Sequence, residues 1–216
     1  MSTLGNNLLA QYYAQNQRRL PAGYREVEYL ESDTINQQYI DTGIYANDNV
    51  GCEIVFQGFD NNLSTVIFGS RNDSGDTRFW LNTDYLANRF YIGWGASYAS
   101  VPITQQKHAV AMNYYNDRKV VIDGVSVRDL SETVPTQIYP AYLFTANNQG
   151  SLFSRYSVSR VFSYKATDGQ RIIRDYIPVV RISDGKQGLY DLCGSKCPLT
   201  GNSFYINAGT GEFVTP

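Results

Sequence analysis

The cleanest alternation of apolar and polar positions runs from Val50 to Gln57. Val50, Cys52, Ile54 and Phe56 share one face, and Gly51, Glu53, Val55 and Gln57 the other. That period of two predicts a strand with one side in a core. The longest organised stretch is Lys107 to Phe162. It opens as a three-strand meander with turns at Asn116-Asp117 and Asp123-Gly124. Asp-Gly between β-branched runs predicts a two-residue hairpin, because both turn residues need positive φ. Further strands are expected over 141–148 and 156–164, and at 24–31, 38–44, 64–69, 78–81, 89–94, 171–177, 188–191 and 204–206. Polar loops separate them at 71–76 and 128–138, and Asp168-Gly169 marks another turn. About a dozen short strands with turn signals roughly every 8–12 residues predict an all-β sandwich or barrel.

One stretch has helical spacing instead. Leu4, Leu8 and Tyr12 recur one turn apart, with Leu9 and Tyr13 beside them, after a capping Asn6. Arg18 and Arg19 stand where a helix C-terminus favours cations. Leu20-Pro21-Ala22-Gly23 ends the helix and opens the domain. A helix this short is marginal alone in water, so its stripe is expected to bury against its own domain, sister copies or another protein. The organisation expected is an anchoring or oligomerisation helix over 1–19 and one β domain over 20–216.

Charge narrows the partners. The net charge is −2 and no basic run stands out, so a nucleic-acid surface is not expected. No 18-residue apolar run predicts a membrane-spanning helix. The N-terminus lacks a charged segment followed by an apolar core, so no secretory signal is expected and synthesis is placed in a cytosol. Of three cysteines, Cys52 alternates inward and reads as a small core residue. For Cys193 and Cys197 the leading reading is a reduced pair, the alternative a small disulfide loop; with His108 the only histidine, zinc has too few ligands.

Three segments resemble a known group. Leu20-Pro-Ala-Gly-Tyr-Arg-Glu-Val-Glu-Tyr-Leu-Glu-Ser32 with Gln38-Tyr-Ile-Asp-Thr-Gly43 resembles the opening of many phage and prophage structural proteins. The closing run Arg174-Asp-Tyr-Ile-Pro178, Ser183-Asp-Gly185, Gly188-Leu-Tyr-Asp191 and Phe204-Tyr-Ile-Asn-Ala-Gly-Thr-Gly211 is similar to theirs too. The middle, Val121 to Val125 and Leu143 to Asn148, resembles laminin-G-like and concanavalin A-like domains. The resemblance spans residues 20–214. It implies a two-sheet antiparallel jelly-roll sandwich found in virion tail, fibre and head-decoration proteins and in some bacterial surface proteins, with glycan binding frequent in the wider fold. It further implies a virion location, assembly in the host bacterial cytoplasm, contacts with other virion proteins through the N-terminal helix, and a homo-oligomer, a trimer foremost. A bacterial carbohydrate-binding module or surface adhesin is the alternative.

No enzyme is expected. Hydrolases of this fold carry a Glu-x-Asp-x-Glu strand that pairs two carboxylates. The nearest match, Glu31-Ser-Asp33, has Ile35 where the second acid belongs. His108 has no Gly-x-Ser-x-Gly elbow to serve. A sugar site pairs flat aromatics with polar side chains, and Arg78, Trp80, Arg89, Tyr91, Trp94 and Tyr98 offer that mixture. In the strand 89–94, Arg89, Tyr91 and Gly93 share one face, while Phe90, Ile92 and Trp94 read as core. No cofactor is expected beyond calcium, which the resemblance to laminin-G-like domains suggests. Asp73, Asp76, Asn147 and Asn148 supply hard oxygens for it, although such residues also form turns.

Overall fold

The computed structural model describes residues 20–33, 37–58, 64–72, 78–84, 89–95, 97–102, 104–131, 133–134, 136–153, 158–194 and 203–216. The expected helix with Leu4, Leu8, Leu9, Tyr12 and Tyr13 lies outside the described residues.

The described chain is all-β, in two sheets. One sheet takes the order β11 (Val125–Asp129), β10 (Lys119–Ile122), β9 (His108–Met112), β4 (Val50–Gly58), β15 (Ser159–Asp168), β16 (Arg171–Arg181), β17 (Gln187–Asp191), β18 (Phe204–Ile206), with β1 (Tyr24–Glu26) on β16 and β2 (Leu30–Glu31) on β15. The second runs β14 (Ser151–Leu152), β13 (Asn147–Asn148), β5 (Ser64–Arg71), β6 (Arg78–Asp84), β7 (Arg89–Gly95), β8 (Ser97–Pro102), with β12 (Ala141–Leu143) bridging β5 to β3 (Ile40–Ile44). Pairing is antiparallel except between β13 and β5. The sheets pack face to face around one core. Ile54 and Phe56 of β4 and Tyr164 of β15 meet Phe68, Phe79 and Phe90 of the other sheet. Phe56 meets Phe90 edge-on at 5.6 Å, and Tyr164 meets Phe68 at 5.8 Å. Each such pair adds about 0.5–1.5 kcal/mol beyond its buried area.

The alternation in β4 survives in the fold, and Cys52 is a buried free thiol whose pKa burial pushes up. Asp123 and Gly124 both take positive φ, 51° and 81°, as the two-residue hairpin requires. The other turn of the meander differs from expectation. It starts at Asn113 (φ 50°), not Asn116, and carries a 3-10 turn over Tyr114–Asn116. The cause is a contact across the sheet: the Asn113 amide donates to the Asp48 and Val50 carbonyls, and its backbone lies where a Cβ on Gly51 would be 1.9 Å from its oxygen. Strand β8 was not foreseen. Strand β16 also runs on through Pro178 to Arg181, past its expected end at Ile177. Proline is tolerated there because β15 stops pairing at Tyr176, so the missing N–H falls where β1 takes over.

The two ends of the chain meet. Glu31 and Val214 exchange backbone hydrogen bonds, and Ala208 N–H donates to the Tyr39 carbonyl at 2.9 Å. The Asn207 side chain accepts from Tyr39 N–H, and the Thr210 hydroxyl from Gln37 N–H. Gly209 lies so close to Gln37 that a Cβ would fall 1.6 Å from its carbonyl oxygen. Beneath this seam lies a buried polar knot. Arg174 (3% exposed) donates from Nε to the Thr42 carbonyl at 3.1 Å and lies 3.5 Å from the Asp191 carboxylate (4% exposed). Asp191 also accepts from the N–H groups of Asp175 and Cys193, both at 3.0 Å. Tyr176 OH donates to the same Thr42 carbonyl, and Tyr205 lies under the guanidinium at 5.6 Å. Burial raises the Tyr176 pKa well above its ordinary value. Every charge in the knot has a partner, the condition for burying charge. The opening and closing motifs thus supply one structural closure.

Cys193 is disulfide-bonded, which corrects the expected reduced pair. Asp191 holds the backbone at that point, so the bond starts from a fixed position. Cys197 lies outside the described residues.

Candidate functional site

The site grows from the alternation of β6. Phe79 and Leu81 point into the core, so Arg78, Trp80 and Asn82 take the outer face of the second sheet. Register then puts Gly69 and Gly93 on either side of Trp80, Arg71 opposite Arg78, and Tyr91 opposite Asn82. The two glycines make a bed for the indole. A Cβ on Gly69 would lie 2.2 Å from Trp80 Cβ, and one on Gly93 would lie 2.5 Å from indole Cδ1 and Nε1. No other residue fits either place while the ring stays flat.

The ring is then covered. Val66, Ala146 and Phe153 pack against it in a small cluster separate from the main core. Phe153 meets it edge-on at 5.7 Å. Arg71 and Arg78 stack on it with Cζ at 5.7 and 5.5 Å from its centroid. Arg71 also lies 5.2 Å from the Phe153 ring and donates from Nε to Asn148 Oδ1 at 2.6 Å. Burial first, and the Arg78 charge second, hold the Arg71 pKa below its ordinary value. Trp80 is left 6% exposed, and its Nε1–H has no acceptor among the described residues. An unmet buried donor costs about 1–3 kcal/mol.

Four of the six expected sugar-site residues therefore share this face: Arg78, Trp80, Arg89 and Tyr91. Arg89 is exposed and donates to Ser100 Oγ at 2.8 Å. Tyr98 pairs with Gly93 in β8, but its side chain lies outside the described residues. Trp94 must be corrected. It is 1% exposed, packs on Phe79 at 6.1 Å, and offers no ring face to a ligand. Trp80 also contributes as a buried floor rather than an open platform. Arg71, Asn148 and Phe153 were missed. Asn148 lies 77 positions from Arg71 and reaches it, with Phe153 beyond, through the parallel pairing of two-residue β13 with β5, which leaves no periodic trace.

The expected calcium oxygens fare unevenly. Asn148 Oδ1 takes the Arg71 guanidinium, and Asn147 Oδ1 accepts from Gly150 N–H at 2.9 Å. Both are corrected as calcium ligands, since a guanidinium at one oxygen repels a cation and the other closes a turn. Asp73 and Asp76 lie outside the described residues. Among the described residues no group of three His, Cys, Asp or Glu side chains could hold a metal ion.

His108 has more company than expected. Its Nδ1 lies 2.7 Å from Asp123 Oδ2, and its Nε2 lies 3.1 Å from Thr104 Oγ1. The order hydroxyl, imidazole, carboxylate is that of a nucleophilic triad. Nε2 also faces the Thr104 carbonyl at 3.2 Å, which favours a proton on the nitrogen that a general base must keep free. The arrangement serves the hairpin: Asp123 Oδ1 accepts from Ala109 N–H, and the ring packs edge-on to Phe90 at 5.2 Å.

No protein-family model matches the chain, and no curated protein matches it.

Proposed function

We propose that this chain is a non-enzymatic display protein of a bacteriophage particle. In this reading its β-sandwich is a jelly roll of the concanavalin A-like or laminin-G-like kind. It serves as head fibre, capsid decoration or tail-associated protein, and the outer face of its second sheet binds glycans of the host surface. The observation that carries the binding function is the face itself. Arg71, Arg78 and Phe153 stand around a buried Trp80, with Tyr91 and then Arg89 further along the same face, the pairing of rings and planar donors that saccharides require.

The virion setting is supported by the terminal motifs and their likeness to phage structural proteins. The N-terminal helix would attach or oligomerise the body, as its apolar stripe suggests. Mass spectrometry of purified particles tests the setting: the chain should be found at stoichiometric abundance, and its absence would overturn it. Native mass spectrometry tests the helix. The full chain should form an oligomer, and substituting Leu8 and Tyr12 by Asp should return it to a monomer.

A bacterial surface adhesin or carbohydrate-binding module is the second reading; the Cys193 disulfide suits a cell surface as it does a particle surface, because disulfides persist in oxidising surroundings. It would place the same glycan-binding face on a cell rather than on a particle.

A further inference from the structure

We infer that the outer face carries a second saccharide subsite at its β3–β12 edge, where Tyr39, Asp41, Tyr45 and Tyr142 receive a neutral sugar. The inference rests on the glycan-binding reading above and gives one part of that face its ligand class.

The four residues converge although 103 positions separate Tyr39 from Tyr142. Ile40, Ile44, Ala141 and Leu143 point into the core, so Tyr39, Asp41, Tyr45 and Tyr142 take the outer side. Asp41 stands directly opposite Tyr142. Tyr142 also pairs with Gly69, the glycine that beds Trp80, so both groups lie on one face. The Tyr39 and Tyr142 rings stack at 4.7 Å, tilted by 34°. Burial first, then the charges of Asp41, Tyr39 and Tyr45, push the Tyr142 pKa up to about 12, so all three lie within electrostatic reach of it.

Their polar capacity is largely unused. Asp41 Oδ1 accepts from Gly43 N–H at 2.9 Å, while Oδ2 has neither donor nor ion pair among the described residues. The hydroxyls of Tyr39, Tyr45 and Tyr142 have no partner among the described residues either. Tyr45 is 51% exposed, and the other two rings are half-buried. The group is nonetheless held in place. Tyr39 N–H donates to Asn207 Oδ1 at 3.0 Å, and its carbonyl accepts from Ala208 N–H. A Cβ on Gly209 would lie 3.2 Å from Tyr39 Cδ1, so the ring is backed by the terminal seam. Groups already fixed lose little entropy when they bind.

The chemistry selects the ligand. An ionised carboxylate only accepts hydrogen bonds, and adjacent sugar hydroxyls can donate to it together. The apolar C–H face of a sugar ring covers a tyrosine ring, and phenol hydroxyls serve its remaining oxygens. An acidic sugar would meet repulsion from Asp41. A cage for an organic cation needs rings that stand apart around it. The Tyr39–Tyr142 stack at 4.7 Å closes that space.

Isothermal titration calorimetry on the full chain tests this with four probes: dextran and mannan (neutral sugars), polygalacturonate (acidic sugar) and choline (organic cation). The expected result is binding of dextran or mannan with little dependence on NaCl. Asp41→Asn keeps the oxygen that Gly43 N–H needs but loses the charge, and should weaken that binding about tenfold. Tyr142→Leu, which loses the flat ring, should weaken it by a similar factor. Lys119→Gln, an exposed change on the other sheet, should leave it unaltered. Neutral-sugar binding that survives both Asp41→Asn and Tyr142→Leu would overturn the subsite while leaving the glycan reading standing. Binding of polygalacturonate alone among the sugars would do the same. Choline binding that Asp41→Asn abolishes would overturn the saccharide assignment of this edge. Binding of none of the three sugars would overturn both readings. Chemical-shift mapping on the unmodified chain decides even if a variant fails to fold: the amides of Tyr39, Asp41 and Tyr142 should titrate with the neutral sugar, and their stillness would overturn the subsite.

Discussion

Arg174 and Arg71 both lie against aromatic rings, and their other partners set them apart. Arg174 has a carboxylate at 3.5 Å, a backbone carbonyl at 3.1 Å and Tyr205 beneath it. Arg71 has the Asn148 amide, two rings and another arginine opposite. The first is a closed set in which donors meet acceptors inside the fold. The second stands on an outer face with a neutral hydrogen-bond partner. The residue types alone do not separate structure from binding; the completeness of the partner set does.

The largest effect should come from opening the closed set. Asp191→Leu leaves Arg174 buried without its carboxylate and should cost about 3–5 kcal/mol, read as a lower urea midpoint. The double variant Arg174→Met/Asp191→Leu should recover part of that loss, because it removes the stranded charge but leaves the Asp175 and Cys193 N–H groups without their carboxylate acceptor. A single-variant loss within the ordinary range of surface changes would erase the contrast between the two arginines.

Next comes the glycine bed. Gly93→Ala places a methyl against the indole, 2.5 Å from Cδ1 and Nε1, so Trp80 must move. The expected cost is about 1–3 kcal/mol, with a shifted tryptophan emission maximum. An unshifted spectrum would mean that the ring does not lie over Gly93.

Arg71→Gln should then change stability by no more than about 0.5 kcal/mol, in either direction, because it also removes the repulsion from Arg78. Its effect should fall on ligand binding instead. Equal thermal midpoints beside unequal titration curves would sharpen the comparison, and a large drop in midpoint would blur it.

The smallest effect lies outside both regions. Desolvation is the largest single influence and pushes the Asp123 pKa up, but the Ala109 N–H and the His108 ring together outweigh it and hold the pKa below its usual value. A carboxyl depressed in the folded state contributes stability that is full above its unfolded pKa, about 3.9, and is lost as pH falls through the folded value. Asp123→Asn should therefore flatten the stability profile below about pH 4, by only a few tenths of a kcal/mol for so exposed a pair. An unchanged acid limb would remove Asp123 from the hairpin's electrostatics.

Much of the β architecture was legible because period two is a one-dimensional signal. Val50 to Gln57 announced β4, and Asp123-Gly124 announced its hairpin. The face of Trp94 could likewise be read from Phe90 and Ile92. Trp80 was harder, since its burial comes from Phe153 and Arg71, which reach it through pairings unrelated to any local pattern. The terminal motifs were conspicuous for a reason the sequence did not disclose. Thr42, Arg174, Asp191 and Tyr205 are distant along the chain yet form one polar knot, so their distinctiveness reflects closure of the sandwich. The Asn113 turn was missed because its driver is the Val50 strand across the sheet.

The most direct test is chemical-shift mapping on the labelled full chain, with polygalacturonate oligomers added stepwise. The expected result is a set of titrating signals confined to the outer face, including the Arg71 and Arg78 guanidinium groups, the Trp80 indole and the amides of Tyr91, Asn148 and Phe153. Signals of Thr42, Arg174, Asp191 and Tyr205 should stay still. Movement centred on that second group, with the Arg71 and Trp80 signals unchanged, would contradict the assignment of binding to the Trp80 face and of structure to the Arg174 knot.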